Sequence, residues 1–116
     1  MQDSTPGVRG WANPAMEKTM QEITPHLAEI TGDVLFGDVW ERPGLSKHDR
    51  SLITVAVLTA LYRTNQLRSH IERALDNGVT REEIGEVITH VAFYGGWPTA
   101  ANAAQVAKEV FDERAG

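Results

Sequence analysis

Apolar residues recur along this chain at three- and four-residue intervals, and no stretch keeps the two-residue alternation of a strand. Asn13-Pro14 and Thr24-Pro25 each read as an N-cap followed by a first helical proline. The first of these predicts a short helix with Met16, Met20 and Ile23 on one face. The second predicts a helix bearing Leu27, Ile30, Val34 and Leu35, weakened in its middle by Gly32. Gly37 and Pro43-Gly44 then break the chain. A helix is predicted from Asp49 to about Arg63, with Ser46 as N-cap and Asp49 completing a partial capping box. Its apolar residues go all the way round, so it is either central and buried or shared between subunits.

Leu67, Ile71, Ala74 and Leu75 mark the next helix, which Asn77-Gly78 closes with a left-handed stop. Thr80 to Glu83 forms a capping box that opens a further helix, with Ile84, Val87, Ile88, Val91 and Ala92 inward, ending at Gly95-Gly96. The last helix is expected from Pro98 to about Glu113, with an alanine-rich stripe that lets a neighbouring helix approach closely. The pattern predicts an all-α, single-domain bundle of about six helices over residues 13–116, preceded by a loose polar lead over residues 1–12.

At 116 residues the chain suits one domain, and its 41% hydrophobic and 23% charged content is that of a soluble globular protein. The net charge is −5, and the eleven basic residues are scattered rather than striped, which argues against nucleic acid as a partner. The chain has no cysteine, so disulfides, thiolate nucleophiles and Cys-x-x-Cys redox chemistry are excluded. No apolar run nears a membrane span and the N-terminus lacks a signal-peptide pattern, so a soluble cytoplasmic protein is expected.

The polar residues that do not fit a plain bundle come next. Arg42 and Arg50 flank the Pro43-Gly44 turn, where each suits either a helix-end charge or a fork for a carboxylate. His70 lies on the face of Leu67, Ile71 and Ala74, so it is either a structural histidine or an inward proton carrier. His90 and Tyr94, four apart, are expected to touch, as a boundary pair or as part of a pocket. Trp97 and Asn102 bracket the Pro98 helix start, whose first N–H groups favour an anion. His26 and His48 read as surface residues without companions. No histidine pair has chelate spacing, so no metal site is expected, and no phosphate loop or nucleophile elbow is present.

Arg42-Pro43-Gly44-Leu45, Arg50-Ser51-Leu52-Ile53-Thr54, Leu67-Arg68-x-His70, Asn77-Gly78-Val79-Thr80, Glu83-Ile84, Glu86-Val87 and Tyr94-x-Gly96-x-Pro98-x-Ala100-Ala101-Asn102-Ala103 follow one another in that order. Together they resemble the carboxymuconolactone decarboxylase family, in its small γ-carboxymuconolactone decarboxylase form, over about residues 36–111. The resemblance implies the alkylhydroperoxidase-D-like helical fold, assembled as a homo-oligomeric ring, a trimer or hexamer. The hydroperoxidase branch relies on a Cys-x-x-Cys pair that this chain lacks, so the implied activity is decarboxylation, not thiol peroxidase chemistry. Gln66 stands where the family has a glutamate, in a Glu-Leu-x-x-His arrangement.

The reaction so implied converts 4-carboxymuconolactone to the 3-oxoadipate enol-lactone in aromatic (β-ketoadipate) catabolism, and it needs no cofactor because the substrate is its own electron sink. Within it, Arg42 and Arg50 are candidate carboxylate clamps, with Gln66, Trp97 and Asn102 as further substrate contacts. His70 is the candidate proton donor, with His90 or Tyr94 as an enolate partner. The alternatives are a paralogue acting as an acid/base isomerase or cyclase on another lactone or keto acid, and a non-catalytic ligand-binding oligomer.

Overall fold

The computed structural model describes residues 14–116, so the expected lead over 1–12 and the cap at Asn13 lie outside the described residues. Every regular element described is helical, with six α-helices and no strand among the described residues. They fall into two compact units, divided between Leu45 and Ser46.

The first unit contains α1 (Pro14–Ile23) and α2 (Pro25–Ile30). Thr24 precedes Pro25 without capping through its side chain, and its hydroxyl instead donates to the Met20 carbonyl at 3.0 Å. At Gly32, the expected weak point of the second helix, the regular α-helix has already ended at Ile30. The chain widens there into a π-helical segment, Thr31–Phe36, and Gly32 itself is buried. A short 3-10 turn, Val39–Glu41, follows, and Phe36 and Trp40 are buried with ring centroids 6.0 Å apart. By contrast Ile23, Leu27, Val34 and Leu35 are exposed in the single chain.

The second unit is built from α3 (Lys47–Ala60), α4 (Thr64–Asp76), α5 (Arg81–Gly95) and α6 (Trp97–Ala115). Helix α3 packs on α4, α5 and α6, and α6 packs on α4 and α5, around a core that includes Val55, Leu67, Ile71, Ile84, Ala103 and Val110. Ser46 caps α3 as expected, its hydroxyl accepting from the Asp49 N–H at 3.0 Å. Helix α3 stops at Ala60, short of Arg63, because Tyr62 turns left-handed (φ 62°). The Arg63 N–H then reaches the Leu58 carbonyl and the Tyr62 N–H the Thr59 carbonyl, a Schellman closure with tyrosine where glycine is usual.

Helix α4 ends at Asn77-Gly78 with Gly78 at φ 91°, and the Thr80–Glu83 capping box opens α5, both as the sequence predicts. At the far end of α5, a Cβ on Gly95 would lie 3.2 Å from the Ala60 Cβ, so a glycine there lets α3 and α5 close together. Gly96, at φ 110°, then turns the chain into α6, which begins one residue earlier than expected, at Trp97.

Helix α3 is not apolar-buried all round. Val55 is 1% exposed, whereas Ile53, Val57 and Leu61 stand 46–55% exposed on its other side. Of the two sequence readings of this helix, the central and fully buried one is therefore corrected. In the single chain, Ile53, Val57 and Leu61 are left about half exposed. No helix among the described residues is long and apolar enough to cross a membrane.

Candidate active site on helix α4

The core stripe of α4 is Leu67, Ile71 and Ala74, all buried. At 100° per residue, Gln66, His70, Arg73 and Asn77 (positions i, i+4, i+7 and i+11) share a second stripe immediately beside it. That stripe carries the functional candidates of this helix. Gln66 is exposed, and His70, Arg73 and Asn77 are half-buried. The Asn77 side-chain amide donates to the Ser51 hydroxyl at 3.0 Å, tying the C-terminal end of the stripe to the first turns of α3. Arg50, half-buried, sits one residue before Ser51. Arg50 thus lies toward the Asn77 end of the stripe, and Gln66 at its opposite end, with His70 between.

His70 is the most perturbed group of this stripe. Burial, with a smaller contribution from the Arg73 guanidinium, pushes its pKa down to about 4, so the imidazole is neutral at pH 7. A neutral imidazole offers one N–H donor and one acceptor nitrogen, and it is not a standing proton reservoir. Gln66, one helical turn earlier, supplies no charge that would hold a proton on it. Burial also holds Arg73 below the usual arginine value, partly offset by Asp76. Asp76 in turn accepts from Arg114 of α6 at 2.8 Å.

Sequence reading passed over Arg73, although its spacing from His70 placed it on the same stripe. On the opposite side of α4, Arg68 is bonded to Glu109 and reaches Glu113 at 3.5 Å, which fastens the helix to α6.

The remaining candidates fall elsewhere. His90 and Tyr94 do meet, their rings stacked with centroids 5.0 Å apart, but both are exposed and Tyr94 is 82% so. Their helix α5 packs on α3 and α6, as α4 does, so in one chain the His70 and His90 helices share neighbours without forming a main packing pair. The pocket-lining reading of this pair thus has no support within a single chain. Trp97 is exposed, edge-on to Phe93 at 5.2 Å. Both line a groove of about 310 Å³ with Ile88, Ala92 and Ala100, where Thr89 is the only polar side chain. That lining suits an apolar occupant better than an organic acid. Asn102 is half-buried on α6. Arg42 belongs to the first unit, is exposed, and lies 4.0 Å from Asp38.

His48 overturns its reading as a companionless surface residue. It is one-third exposed, with Nδ1 2.9 Å from Asp49 and Nε2 3.1 Å from both Glu83 oxygens. Carboxylates only accept, so two of them around one ring call for the doubly protonated imidazolium. Its pKa is accordingly raised, by the Asp49 and then the Glu83 hydrogen bonds. His26 stays exposed, 3.1 Å from Glu29. No group of three or more potential metal ligands occurs among the described residues.

Comparison with known proteins gives this arrangement a context. The sequence profile of the carboxymuconolactone decarboxylase family matches residues 25–109. The chain is 47% identical over 78 residues to a 4-carboxymuconolactone decarboxylase of Acinetobacter baylyi, a match covering 67% of this chain and 58% of that relative. It is 32% identical over 101 residues to the nitrosuccinic acid decarboxylase npaB of Metarhizium robertsii, covering 84% of this chain and 71% of the relative. An uncharacterized 15.0 kDa protein from the nqo9-nqo10 intergenic region of Paracoccus denitrificans is 31% identical over 107 residues, covering 87% and 80%.

Proposed function

The chain belongs to the carboxymuconolactone decarboxylase family, and from that premise we propose that it is a cofactor-free decarboxylase converting 4-carboxymuconolactone to the 3-oxoadipate enol-lactone. The observation that carries this reading is the α4 stripe, where a half-buried, neutral His70 shares its helix face with the cationic Arg73. The 47% identity to a protein named for this reaction supports it.

The chemistry asks little of a protein. The bond to the departing carboxylate breaks heterolytically and CO₂ leaves. The electron pair moves through the ring double bond into the lactone carbonyl, giving a dienolate. A proton then adds to the carbon next to that carbonyl, which yields the enol-lactone. The protein must hold a dianion, stabilise the developing oxygen charge and supply one proton.

Arg50 and Arg42 are the proposed carboxylate anchors taken from the sequence. Arg50 is the better placed, through the Ser51–Asn77 link to the α4 stripe. A dianion arriving near His70 raises its pKa from about 4, because anions favour the imidazolium. The ring then takes up a proton with the substrate and delivers it to carbon, so the proton donor is created by binding rather than waiting in the unliganded protein. His90, Tyr94, Trp97 and Asn102 join the site in this reading only if a neighbouring copy brings them to it. The exposed faces of α3 and of the α5–α6 corner are where a ring-shaped homo-oligomer would bury them. A small catabolic acid is handled inside the cell, and we place the enzyme in the cytoplasm.

A second reading, a related acid as substrate, is favoured by the nitrosuccinic acid decarboxylase relative. Nitrosuccinate also loses a carboxylate next to an electron-withdrawing group, with the nitro group as sink. Purified, metal-stripped protein incubated in parallel with each acid separates the two. Loss of the lactone absorbance with CO₂ release supports the first reading, and turnover of nitrosuccinate alone supports the second.

A further inference from the structure

We infer that Asn77 is a positioning residue of the proposed decarboxylase: its side-chain amide, bound to Ser51, fixes the register of α3 against α4 and with it the spacing between Arg50 and His70. The inference rests on the decarboxylase reading above and adds to it a residue given no contact with substrate. Sequence alone accounts for Asn77 as half of the Asn77-Gly78 left-handed stop. The backbone does not require asparagine there. Gly78 takes the left-handed turn (φ 91°), whereas Asn77 itself stays right-handed (φ −90°, ψ 12°).

What the side chain does is cross-link two helices. Its amide donates to the Ser51 hydroxyl at 3.0 Å, and Ser51 is only 1% exposed. A buried polar contact of this kind favours one geometry, because parting the two groups leaves the buried one unsatisfied. Only Leu61, Tyr62 and Arg63 separate α3 from α4, and the two helices pack on each other, so their directions oppose. The left-handed turn at Tyr62 closes this hairpin at one end. The Asn77–Ser51 bond closes it at the other, where sliding or splaying of α4 would otherwise be greatest.

Both proposed working groups hang on this hairpin. Arg50 directly precedes Ser51, so the bond holds its backbone. His70 lies seven residues before Asn77, about 10 Å along the axis at about 1.5 Å per residue. A long arginine side chain and a small dicarboxylate together can span that distance, with one carboxylate in the guanidinium fork and the reacting carbon at the imidazole. Such a span is intolerant of slippage, since an error of about 1 Å at the reacting atoms can cost about 100-fold in rate. Arg68 provides the contrast. It also ties α4 to a neighbour, through Glu109 and Glu113 of α6, but on the side of α4 away from His70.

The test compares wild type with Asn77→Ala, Ser51→Ala and their double variant, and with Arg68→Gln as a control tie on the other side of the helix. Asn77→Ala and Ser51→Ala should each lower kcat about 10- to 100-fold, with KM changed less than about threefold, because the anchor and its charge remain. The double variant should lose no more than either single one, as two groups acting through one bond do. Arg68→Gln should leave both constants unchanged. Wild-type kcat in the folded single variants, a loss confined to KM, losses that add in the double variant, or an equal kcat loss in Arg68→Gln overturns the proposal. Should Asn77→Ala not fold, Ser51→Ala decides by the same kcat and KM criteria.

Succinate, an unreactive dicarboxylate, separates this proposal from the activity assignment, with calorimetric affinity and the NMR shift of the His70 ring on binding as readouts. Wild type should bind succinate with a shift of the His70 ring, and Asn77→Ala should bind it with that shift largely lost. If wild type turns over neither acid yet shows this difference, the decarboxylase reading fails and the positioning role stands. If wild type is active and Asn77→Ala matches it in kcat and in the ring shift, the positioning role fails alone. A wild type that neither turns over an acid nor binds succinate overturns both.

Discussion

At the scale of single residues, the account turns on the protonation of His70. Its pKa of about 4 lies below the 6.5 of an unfolded histidine, so the unfolded chain takes up this proton first. The sign follows: His70 has no effect above about pH 7, and it destabilises the fold progressively as pH falls from 6.5 to 4. The full difference approaches about 3 kcal/mol, an upper figure for a group not wholly buried. The melting temperature of wild type should therefore fall more steeply between pH 6.5 and pH 4 than that of His70→Asn. NMR titration of the His70 ring should give a value near 4 in the unliganded protein and a higher one with succinate bound. Gln66→Glu, which restores a carboxylate one turn away, should also raise it. A His70 that titrates near 6.5 in the unliganded wild type would remove the proposed role of substrate binding in creating the acid.

At the scale of elements, the His48 clasp is the clearest device. Helices α3 and α5 run parallel, with His48 and Glu83 joining their first turns and Ala60 meeting Gly95 near their ends. A positive ring near two helix N-termini opposes both dipoles, and Asp49 and Glu83 offset it. Because the folded pKa of His48 is raised, its stabilisation is present below about pH 6.5 and fades as pH rises through the folded value. His48→Ala should lower the melting temperature at pH 6 and match wild type at pH 9. An equal deficit at both pH values would mean that the ring acts by packing rather than by charge.

These elements also show what was legible beforehand. The caps at Ser46 and Thr80 and the stop at Gly78 are local, written within four residues, and the sequence displays them directly. The His48–Glu83 contact spans 35 residues and depends on α3 and α5 lying parallel, which no local pattern reveals. The end of α3 was missed because Tyr62 adopts a conformation that sequence reasoning reserves for glycine. The π-helical turn at Gly32 was missed because a glycine was read as a weak point rather than a place to widen. In the site, His70 was found from its periodicity. Arg73 was overlooked because a charge next to a core position, here Ala74, looks like an ordinary solvated one.

At the scale of the whole molecule, the second unit carries more exposed apolar surface than scattered single residues explain. Ile53, Val57, Leu61 and Tyr62 on or beside α3, and Phe93, Tyr94 and Trp97 at the α5–α6 corner, are each 46–82% exposed. Fully burying one such aliphatic or aromatic side chain contributes about 1.5–3 kcal/mol, so covering even a few of them favours self-association. Light scattering on the purified chain should give a mass several times the 12.8 kDa of one copy. Val57→Glu should shift that mass downward while helicity persists. A wild-type mass of one copy at micromolar concentration would contradict the ring.

The most direct test of the central claim is one paired rate measurement. Metal-stripped wild type and His70→Ala are each given 4-carboxymuconolactone, with absorbance loss and released CO₂ followed together, and with circular dichroism and mass checked on both. The account predicts turnover with equal amounts of substrate lost and CO₂ formed by wild type. It predicts a rate at least about 100-fold lower in His70→Ala, the usual contribution of a positioned proton donor, with fold and assembly unchanged. A folded His70→Ala that decarboxylates at the wild-type rate would contradict it.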